Sequence, residues 1–467
     1  MTGLLVAGTA SGVGKTTVSL AILAAMRRRG RIVQAFKGGP DFLDAGHHTR
    51  ISGRIARNLD TWMLDDEANK DVLRQAVQGA DAILAEGMMG LFDGKDGATE
   101  SGSSAEIAKL LRLPVVLVVD AGKSARSIAA IILGFELFDP QLALAGVILN
   151  RVASERHFRM LEAAILSACR TPVLGWLPRE SAIAIPERHL GLHTAEEFDV
   201  HEGQDGTTEK LIETLGLLAE KHLDLDRLLS LECGLDLEST LLPAPCISTR
   251  HVRIGVARDH AFSFYYEDNL DLLRQQGAVI VPFSPTHDPS LPEDIEALYL
   301  GGGYPELYAQ QLSANTGMLA SMQAFVASGR PVYAECGGMI YLSQQLTTAH
   351  GITYPMARVF PFAIEMTGKL VQFGYVTVEL TDDCLLGTRG TIIRGHSFHF
   401  SRISNHSGIG THYRIQYSLS GKLENEGYGV GNVLASYIHL HFRAAPTAAA
   451  HFVEAARRVK SEHMASA

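Results

Sequence analysis

LLVAGTASGVGKTTVSLAILAAMRR, residues 4–28, is the stretch on which the reading of the fold turns. An apolar run, LLVAG (4–8), passes through a glycine-rich loop, GTASGVGKTT (8–17), into the amphipathic helical pattern VSLAILAAMRR (18–28). In a frame of strand, loop and helix, the glycines let backbone N–H groups wrap phosphate oxygens at a helix N-terminus, which favours negative charge. Gly12, Val13, Gly14, Lys15, Thr16 and Thr17 are therefore the nucleotide-binding candidates. Lys15 would reach the terminal phosphates, and the Thr16 hydroxyl would sit on Mg2+. An ordinary glycine-rich turn is the competing reading, and it gives no reason for strand, Lys-Thr pair and helix to occur together.

Outward from this loop the pattern repeats. IVQAFK (32–37), AILAEG (82–87), VVLVVD (115–120) and LAGVILN (144–150) read as strands separated by helical segments. Continuous apolar runs between amphipathic helices predict a parallel sheet covered on both faces. Glu86 closes one of these strands, where a carboxylate can take a place on Mg2+ directly or through water. Asp41 and Asp44 in GPDFLD (39–44) follow the strand that ends in Lys37; they are metal-ligand candidates, with helix or turn capping as the plain alternative.

After about residue 195 the pattern becomes an acidic loop followed by helical turns, and STLLPAPCISTRH (239–251) has little periodicity. A second alternating series then begins with RIGVARD (253–259), AVIVPF (278–283), ALYLGGG (297–303) and PVYAEC (331–336), followed by a β-rich stretch from about 370 to 440. The predicted division is 1–195 for the phosphate-binding domain, 196–250 for a helical linker, 251–445 for a second α/β domain and 446–467 for a C-terminal helix or tail.

With 467 residues, the chain is too long for one ordinary core. Hydrophobic content of 46% with 20% charged residues is that of a soluble globular protein, and a net charge of −10 leaves no basic excess to neutralise nucleic acid. MRRRGR (26–31) reads as the solvated end of a helix. The longest apolar run, IAAIILGFELF (128–138), is too short to span a bilayer, and the N-terminus runs straight into the glycine-rich motif. A cytoplasmic protein without membrane contact is expected. Five scattered cysteines, none spaced as C-x-x-C, fit reduced thiols.

In PVYAECGGMIYL (331–342), Cys336 stands at the corner between strand and helix. Gly337 and Gly338 allow the tight turn that exposes a nucleophile, and a helix starting there is expected to lower the thiol pKa. Gly302 and Gly303 in LYLGGGYPE (298–306), with Gly337, are candidates for an oxyanion hole. ASYIHLHF (435–442) supplies His439 and His441, of which one can be the base. His396 and His399 in RGHSFHFS (394–401) invite a metal reading, but without a third ligand nearby they read as structural or domain-interface residues.

The longer spacing of the phosphate loop, with Gly8 seven residues before Lys15, resembles the dethiobiotin synthetase group of P-loop proteins, which use ATP to activate carboxylates or carbamates. Residues 252–445, through GGGYPE, ECGG and SYIHLHF, resemble the class I glutamine amidotransferase domain. That resemblance selects His439 as the base of a Cys336–His439 pair, and it puts His441 where many relatives have an acid. FKGGPDFLDAGHHTRISGRIARNLDTWML (36–64), AEGMMGLFDG (85–94) and RGHSFHFS together resemble the cobyrinate/hydrogenobyrinate a,c-diamide synthase family from end to end. The resemblance implies two doubly wound α/β domains, ATP with Mg2+, L-glutamine as nitrogen donor and a corrinoid substrate. It places Phe42, Leu43, Asp44 and Asp93 where the family's substrate-facing loop lies and Glu86 at its acidic active-site position; Lys37 joins the substrate candidates, and Thr16, Asp41 and Glu86 stay the metal candidates. Gly38 stands where a branched apolar residue is usual and Phe42 where tyrosine is usual.

An ATP site and an ammonia source on one chain have a joint explanation: a carboxylate is activated as an acyl phosphate and then captured by ammonia, passed unprotonated through a channel. Lys15, Lys37, His47, His48, Arg50, Arg54 and Arg57 crowd one segment, where they could attract a polyanionic substrate. Cobyrinic acid is the expected substrate. Hydrogenobyrinic acid or nickel sirohydrochlorin is the near rival, and a P-loop switch or metallochaperone with a non-catalytic amidase-like domain is the distant one. A homodimer is an allowed assembly.

Overall fold

The computed structural model describes residues 1–179, 187–188, 191–192, 207–237, 251–404 and 408–466. The acidic loop expected over 194–206 and the segment 239–250, with Cys246, lie outside the described residues. The chain divides into two compact units, Met1–Thr240 and Leu241–Ala467.

The first unit is built on β1 (Thr2–Gly8), β2 (Val33–Gly38), β3 (Arg57–Leu59), β4 (Ala82–Glu86), β5 (Val115–Asp120), β6 (Leu144–Val152) and β7 (Val173–Pro178). They form one seven-stranded sheet in the order β3-β2-β4-β1-β5-β6-β7, with every pairing parallel. The buried runs on β1 and β5, and that on β4 up to its closing Glu86, are apolar because helices cover both faces. Those helices are α1 (Lys15–Arg28), α2 (Phe42–Ser52), α3 (Asp66–Ala76), α4 (Ser104–Leu110), α5 (Ser127–Phe138), α6 (Glu155–Leu166), α7 (Thr207–His222) and α8 (Leu225–Leu229). A short antiparallel pair, β8 (Glu187–Arg188) and β9 (Gly191–Leu192), follows β7. The C-terminal ends of β1, β2 and β4 lie side by side, so that Gly8, Lys37 and Glu86 open at one edge of the sheet, where ligands of such sheets bind.

The arginines of MRRRGR lie at the solvated end of α1, and two of them also find partners there. Arg27 donates to Ile51 O at 3.0 Å and to Glu209 at 3.0 Å, while Arg29 forks onto both oxygens of Glu220 at 2.8 Å and reaches Asp226 at 2.6 Å. These pairs are largely exposed and each contributes little. The adhesion of α7 and α8 comes from Ile212, Leu215, Ala219, Leu225 and Leu228, buried in the same core as Val18, Ile22 and Ala25.

The second unit carries a ten-stranded sheet that is half parallel and half antiparallel. β10 (Val252–Ala257), β11 (Ala278–Phe283), β12 (Ala297–Leu300), β13 (Val332–Glu335) and β22 (Val433–Ser436) form the parallel half, in the order β11-β10-β12-β13-β22. Its helices are α9 (Glu267–Gln275), α10 (Ala309–Ala314), α11 (Thr316–Ala327), α12 (Gly337–Leu342) and the C-terminal α13 (Thr447–Ser466). The β-rich stretch supplies the antiparallel half: β21 (Leu423–Val430), β20 (Gly410–Tyr417), β17 (Gln372–Leu380), β18 (Ile392–His399) and β23 (His439–Leu440), in that order from β22. A side sheet joins β14 (Gln345–Thr347), β15 (Thr353–Pro355), β16 (Ala363–Met366) and β19 (Ser401–Ser404). No helix among the described residues is long and apolar enough to cross a membrane.

One covalent constraint shapes the antiparallel half. β22 ends at Ser436 and β23 starts at His439, yet four strands separate them in the sheet order. Three Cα steps reach only about 10 Å. The strands must therefore roll back on themselves around buried Val376, Val378, Ile393, Ile415 and Leu440. Buried Asn269 of α9 pins the returning end: its amide donates to Leu440 O at 2.8 Å and its oxygen accepts from Phe442 N at 2.8 Å.

Asn269→Ala leaves a buried carbonyl and a buried N–H without that partner, so it is expected to destabilise the second unit by about 3 kcal/mol. The shift of that unit's transition in calorimetry of the full chain checks this; an unchanged transition would remove Asn269 as the pin.

Candidate active sites

In the first unit, Gly14 caps α1 at φ 93°, and a Cβ there would fall 2.0 Å from Asn150 Nδ2. That amide, at the end of β6, donates to Val13 O at 2.9 Å and fixes the loop from below. The sequence reading passed over Asn150, although a polar residue closing LAGVILN was its visible signal. Lys15 Nζ donates to Met89 O at 2.5 Å and to Ala10 O at 3.3 Å. Burial and the charge of Lys37 lower its pKa.

Beside the loop, Lys37 is enclosed by acids. Its Nζ lies 2.5 Å from Asp44 Oδ2, 3.0 Å from Glu86 Oε1 and 3.9 Å from Asp41, and it donates to Gly87 O at 3.2 Å. Thr16 Oγ1 donates to Glu86 Oε1 at 2.8 Å and to Asp44 Oδ1 at 3.3 Å, and His48 Nε2 lies 2.7 Å from the other oxygen of Glu86. Burial opposes charge on Lys37, but Asp44, Glu86 and Asp41 hold its ammonium well above the usual lysine range. Burial likewise opposes ionisation of Glu86, yet Lys37 and His48 hold its carboxyl far below the usual range. The structure thus brings together Thr16, Lys37, Asp41, Asp44 and Glu86, and adds His48.

Asp41 also caps α2, accepting from Asp44 N at 3.1 Å, so the capping alternative holds for it. Phe42 and Leu43 follow in the first turn of α2, half-buried. Asp93 is exposed on the loop after β4 and accepts from Gly90 N at 2.8 Å. The oxygens of Thr16, Asp41, Asp44 and Glu86 are the hard donors that Mg2+ takes, normally one or two carboxylates completed by phosphates and water. Among the described residues no group of three or more His, Cys, Asp or Glu side chains is arranged to hold a metal by itself.

The expected basic surface is largely engaged elsewhere. Arg54 donates to Gln34 at 3.0 Å and to the carbonyls of Ala76 and Gln78 at 3.0 and 2.9 Å, where it satisfies the end of α3. Arg50 donates to Thr208 at 2.7 Å.

In the second unit, Cys336 sits at φ 44°, ψ −99°, a conformation that side chains avoid, directly before α12. Its N–H donates to Ser436 O at 2.7 Å, and Gly338 N donates to Gly301 O at 2.9 Å. A Cβ on Gly338 would meet Leu300 O at 2.3 Å, so only glycine lets α12 pack here. The expected lowering of the thiol pKa does not occur. Burial and the charge of Glu306 push it up, while the N–H of Gly337 acts in the opposite direction without prevailing. A six-residue helix offers too small a dipole to offset that desolvation.

Of the three expected oxyanion donors, Gly302 N already donates to Phe264 O at 3.2 Å. What Gly302 provides is room: the Cε1 and Nε2 edge of His439 lies 2.4 and 3.2 Å from where its Cβ would be. Gly303 and Gly337 lie side by side, with Gly303 N 3.0 Å from the Cβ position of Gly337. His439 is buried, which lowers its pKa to about 3.

The strand carrying His439 is held from below by two buried carboxylates. Glu335 accepts from Tyr333 at 2.6 Å, Tyr299 at 2.9 Å and Leu440 N at 3.0 Å. Glu426 accepts from Tyr437 N at 2.7 Å and from the Ser436 hydroxyl. Burial pushes Glu335 up to about 7 despite its three donors. His441 packs against Tyr266 with ring centroids 4.4 Å apart, and its Nδ1 accepts from Arg443 N at 3.3 Å. His396, read from the sequence as structural or interfacial, stacks on His439 itself at 4.9 Å and 13°. His399 stacks instead on Tyr437 at 3.8 Å.

Family models match both units. Residues 4–192 match the CobQ/CobB/MinD/ParA nucleotide binding domain, and residues 253–447 match the CobB/CobQ-like glutamine amidotransferase domain. A protein of Listeria monocytogenes serotype 4b (strain F2365) named cobyrinate a,c-diamide synthase is 43% identical over 95% of this chain and 96% of its own. Proteins of the same name from Syntrophotalea carbinolica and Salmonella typhimurium are 43% and 42% identical, each over 97% of this chain and 98% of its own.

Lys37→Ala strands buried carboxylates, so a loss of about 3–5 kcal/mol is expected in the first unit's unfolding transition. Glu335 has its pKa raised on folding, so its ionisation weakens the fold as pH rises from about 4.5 through about 7. Glu335→Gln should therefore be progressively less destabilising, relative to the parent, between pH 5 and pH 8. Parallel calorimetry of both proteins reads the difference, and a constant offset would contradict it.

Proposed function

We propose, for a chain that belongs to the cobyrinate a,c-diamide synthase family, that it amidates the a and c acetate carboxylates of cobyrinic acid, driven by ATP and with ammonia drawn from glutamine. It is on this reading a carbon–nitrogen ligase with glutamine as amido donor. The observation that carries the reading is the pairing, on one chain, of a phosphate loop ending in Lys15 and Thr16 with a strained Cys336 at a strand–helix corner whose unit also packs the His439 edge against Gly302.

Each half then has a defined task. In the first unit, a substrate carboxylate attacks the terminal phosphorus of ATP, giving an acyl phosphate and ADP; ammonia attacks the acyl carbon and inorganic phosphate leaves. Backbone N–H groups of Gly12, Val13, Gly14, Lys15, Thr16 and Thr17 wrap the phosphates, and Lys15 exchanges its carbonyl partners for phosphate oxygens. Thr16, Asp41 and Glu86 would hold Mg2+, which supplies charge neutralisation at the phosphates. Lys37, Phe42, Leu43, Asp44 and Asp93 face the corrinoid. In place of the tyrosine usual in relatives, Phe42 has no hydroxyl to offer, so preference among carboxylates can differ.

In the second unit, His439 takes the proton of Cys336 as the sulfur attacks the amide carbon of glutamine. The N–H groups of Gly303 and Gly337 receive the oxyanion, with Gly302 giving the base its place. Ammonia leaves with the proton, and water hydrolyses the thioester to glutamate. Because burial pushes the thiol pKa up, proton transfer to His439 accompanies the attack and does not precede it.

With ATP, Mg2+, glutamine and cobyrinic acid, mass spectrometry of the product should show two carboxyl-to-amide conversions. Cys336→Ala should abolish glutamine-driven turnover and keep ammonia-driven turnover. Products only from hydrogenobyrinic acid or nickel sirohydrochlorin would move the substrate assignment, and the absence of any amide product would leave the switch or metallochaperone reading.

A further inference from the structure

We propose that His396 is the positioning residue of the amidase site, its ring lying flat against His439 to orient that ring and steady the imidazolium formed when His439 takes the thiol proton. This rests on Cys336 and His439 being nucleophile and base, as argued above.

The placement follows from sheet register. His396 of β18 and His439 of β23 are directly paired in the antiparallel ladder, so their side chains leave the sheet on the same face. Their rings are nearly parallel, 13° apart, with centroids at 4.9 Å. His396 does not lie there loosely. Its Nδ1 is hydrogen-bonded to Tyr266 Oη at 2.8 Å, and the Tyr266 ring packs in turn against His441. All four side chains are buried. The residue two positions after the base therefore still acts on it, through Tyr266 and His396 instead of through a carboxylate.

The chemistry suits a neutral ring. An aromatic face attracts a cation, so a neutral imidazole stacked on His439 stabilises the charged form more than the neutral one. The titratable groups around His396 are His439 on β23, His441 just after it, Tyr266 ahead of α9 and Tyr375 opposite on β17. Burial and the two neighbouring imidazoles hold His396 well below the usual histidine range, so one ring of the stack, His439, takes the charge. The hydrogen bond between Tyr266 Oη and His396 Nδ1 holds the ring in its orientation.

The test is glutamate release by the full chain as a function of pH, for the parent, His396→Ala and His396→Phe, with ammonia-driven amidation followed in the same preparations. His396→Ala is expected to lower kcat about ten- to a hundredfold with KM for glutamine little changed. It should also move the acidic limb of the profile to lower pH, because an unsupported imidazolium releases its proton more readily. His396→Phe keeps a ring face and should restore most of the rate. Tyr266→Phe, which leaves the stack in place, should move the limb in the same direction by less, and carries the test should His396→Ala fail to fold. A parent-like profile in His396→Ala, or equal losses in the Ala and Phe variants with an unmoved limb, overturns the proposal. Glutamate release persisting in Cys336→Ala would instead strike at the nucleophile, leaving a different reaction to be explained.

Discussion

A glutamate buried at the last residue of a central parallel strand organises each unit. β4 ends in Glu86 and β13 in Glu335, and both carboxylates are essentially out of water. A buried carboxylate must be met by donors or it cannot stay. Around Glu86 the partners are Lys37, His48 and the Thr16 hydroxyl, two of them able to carry positive charge, and the group remains an anion. Around Glu335 they are two phenols and one amide, none of them charged, and the group is pushed up to about 7. One residue type at one topological position thus serves as a fixed negative charge in the first unit and as a nearly neutral hydrogen-bond hub in the second. The first orients the Thr16 and Lys37 side chains beside the phosphate loop; the second holds the strand on which His439 rides.

Much of the architecture was legible because it is written in local pattern. LLVAG, AILAEG and VVLVVD are continuous apolar runs, which only a sheet covered on both faces can bury, and they became β1, β4 and β5. The corner at Cys336 was legible for a similar reason, since an acid, a cysteine and two glycines after a strand leave the backbone few alternatives. What stayed hidden depended on partners distant in sequence. Arg29 finds Glu220 and Asp226, and Arg54 finds the end of α3; nothing near either arginine announces this. The role of His396 was hidden by its own spacing, because H-x-x-H directs attention to a metal, whereas the informative relation is a cross-strand pairing with His439.

The pKa of the thiol shows how competing effects are decided by magnitude. A helix N-terminus and a backbone N–H both favour the thiolate, and sequence reasoning could see both. Burial and the nearby Glu306 carboxylate oppose them, and these depend on packing that only the folded chain reveals. In a six-residue helix the favourable dipole is small, so desolvation prevails.

A nucleophile stored in this form has a bearing on chemical durability. Peroxides attack thiolates and largely spare thiols, so a buried cysteine whose thiol pKa is pushed up is a poor target for sulfenic acid formation. On the amidase reading proposed above, reactivity toward oxidants and reactivity toward the amide would arise in the same brief state, as the thiol proton is transferred to His439. An idle molecule is therefore the better protected one, and oxidative wear should accumulate with the number of turnovers more than with the age of the protein.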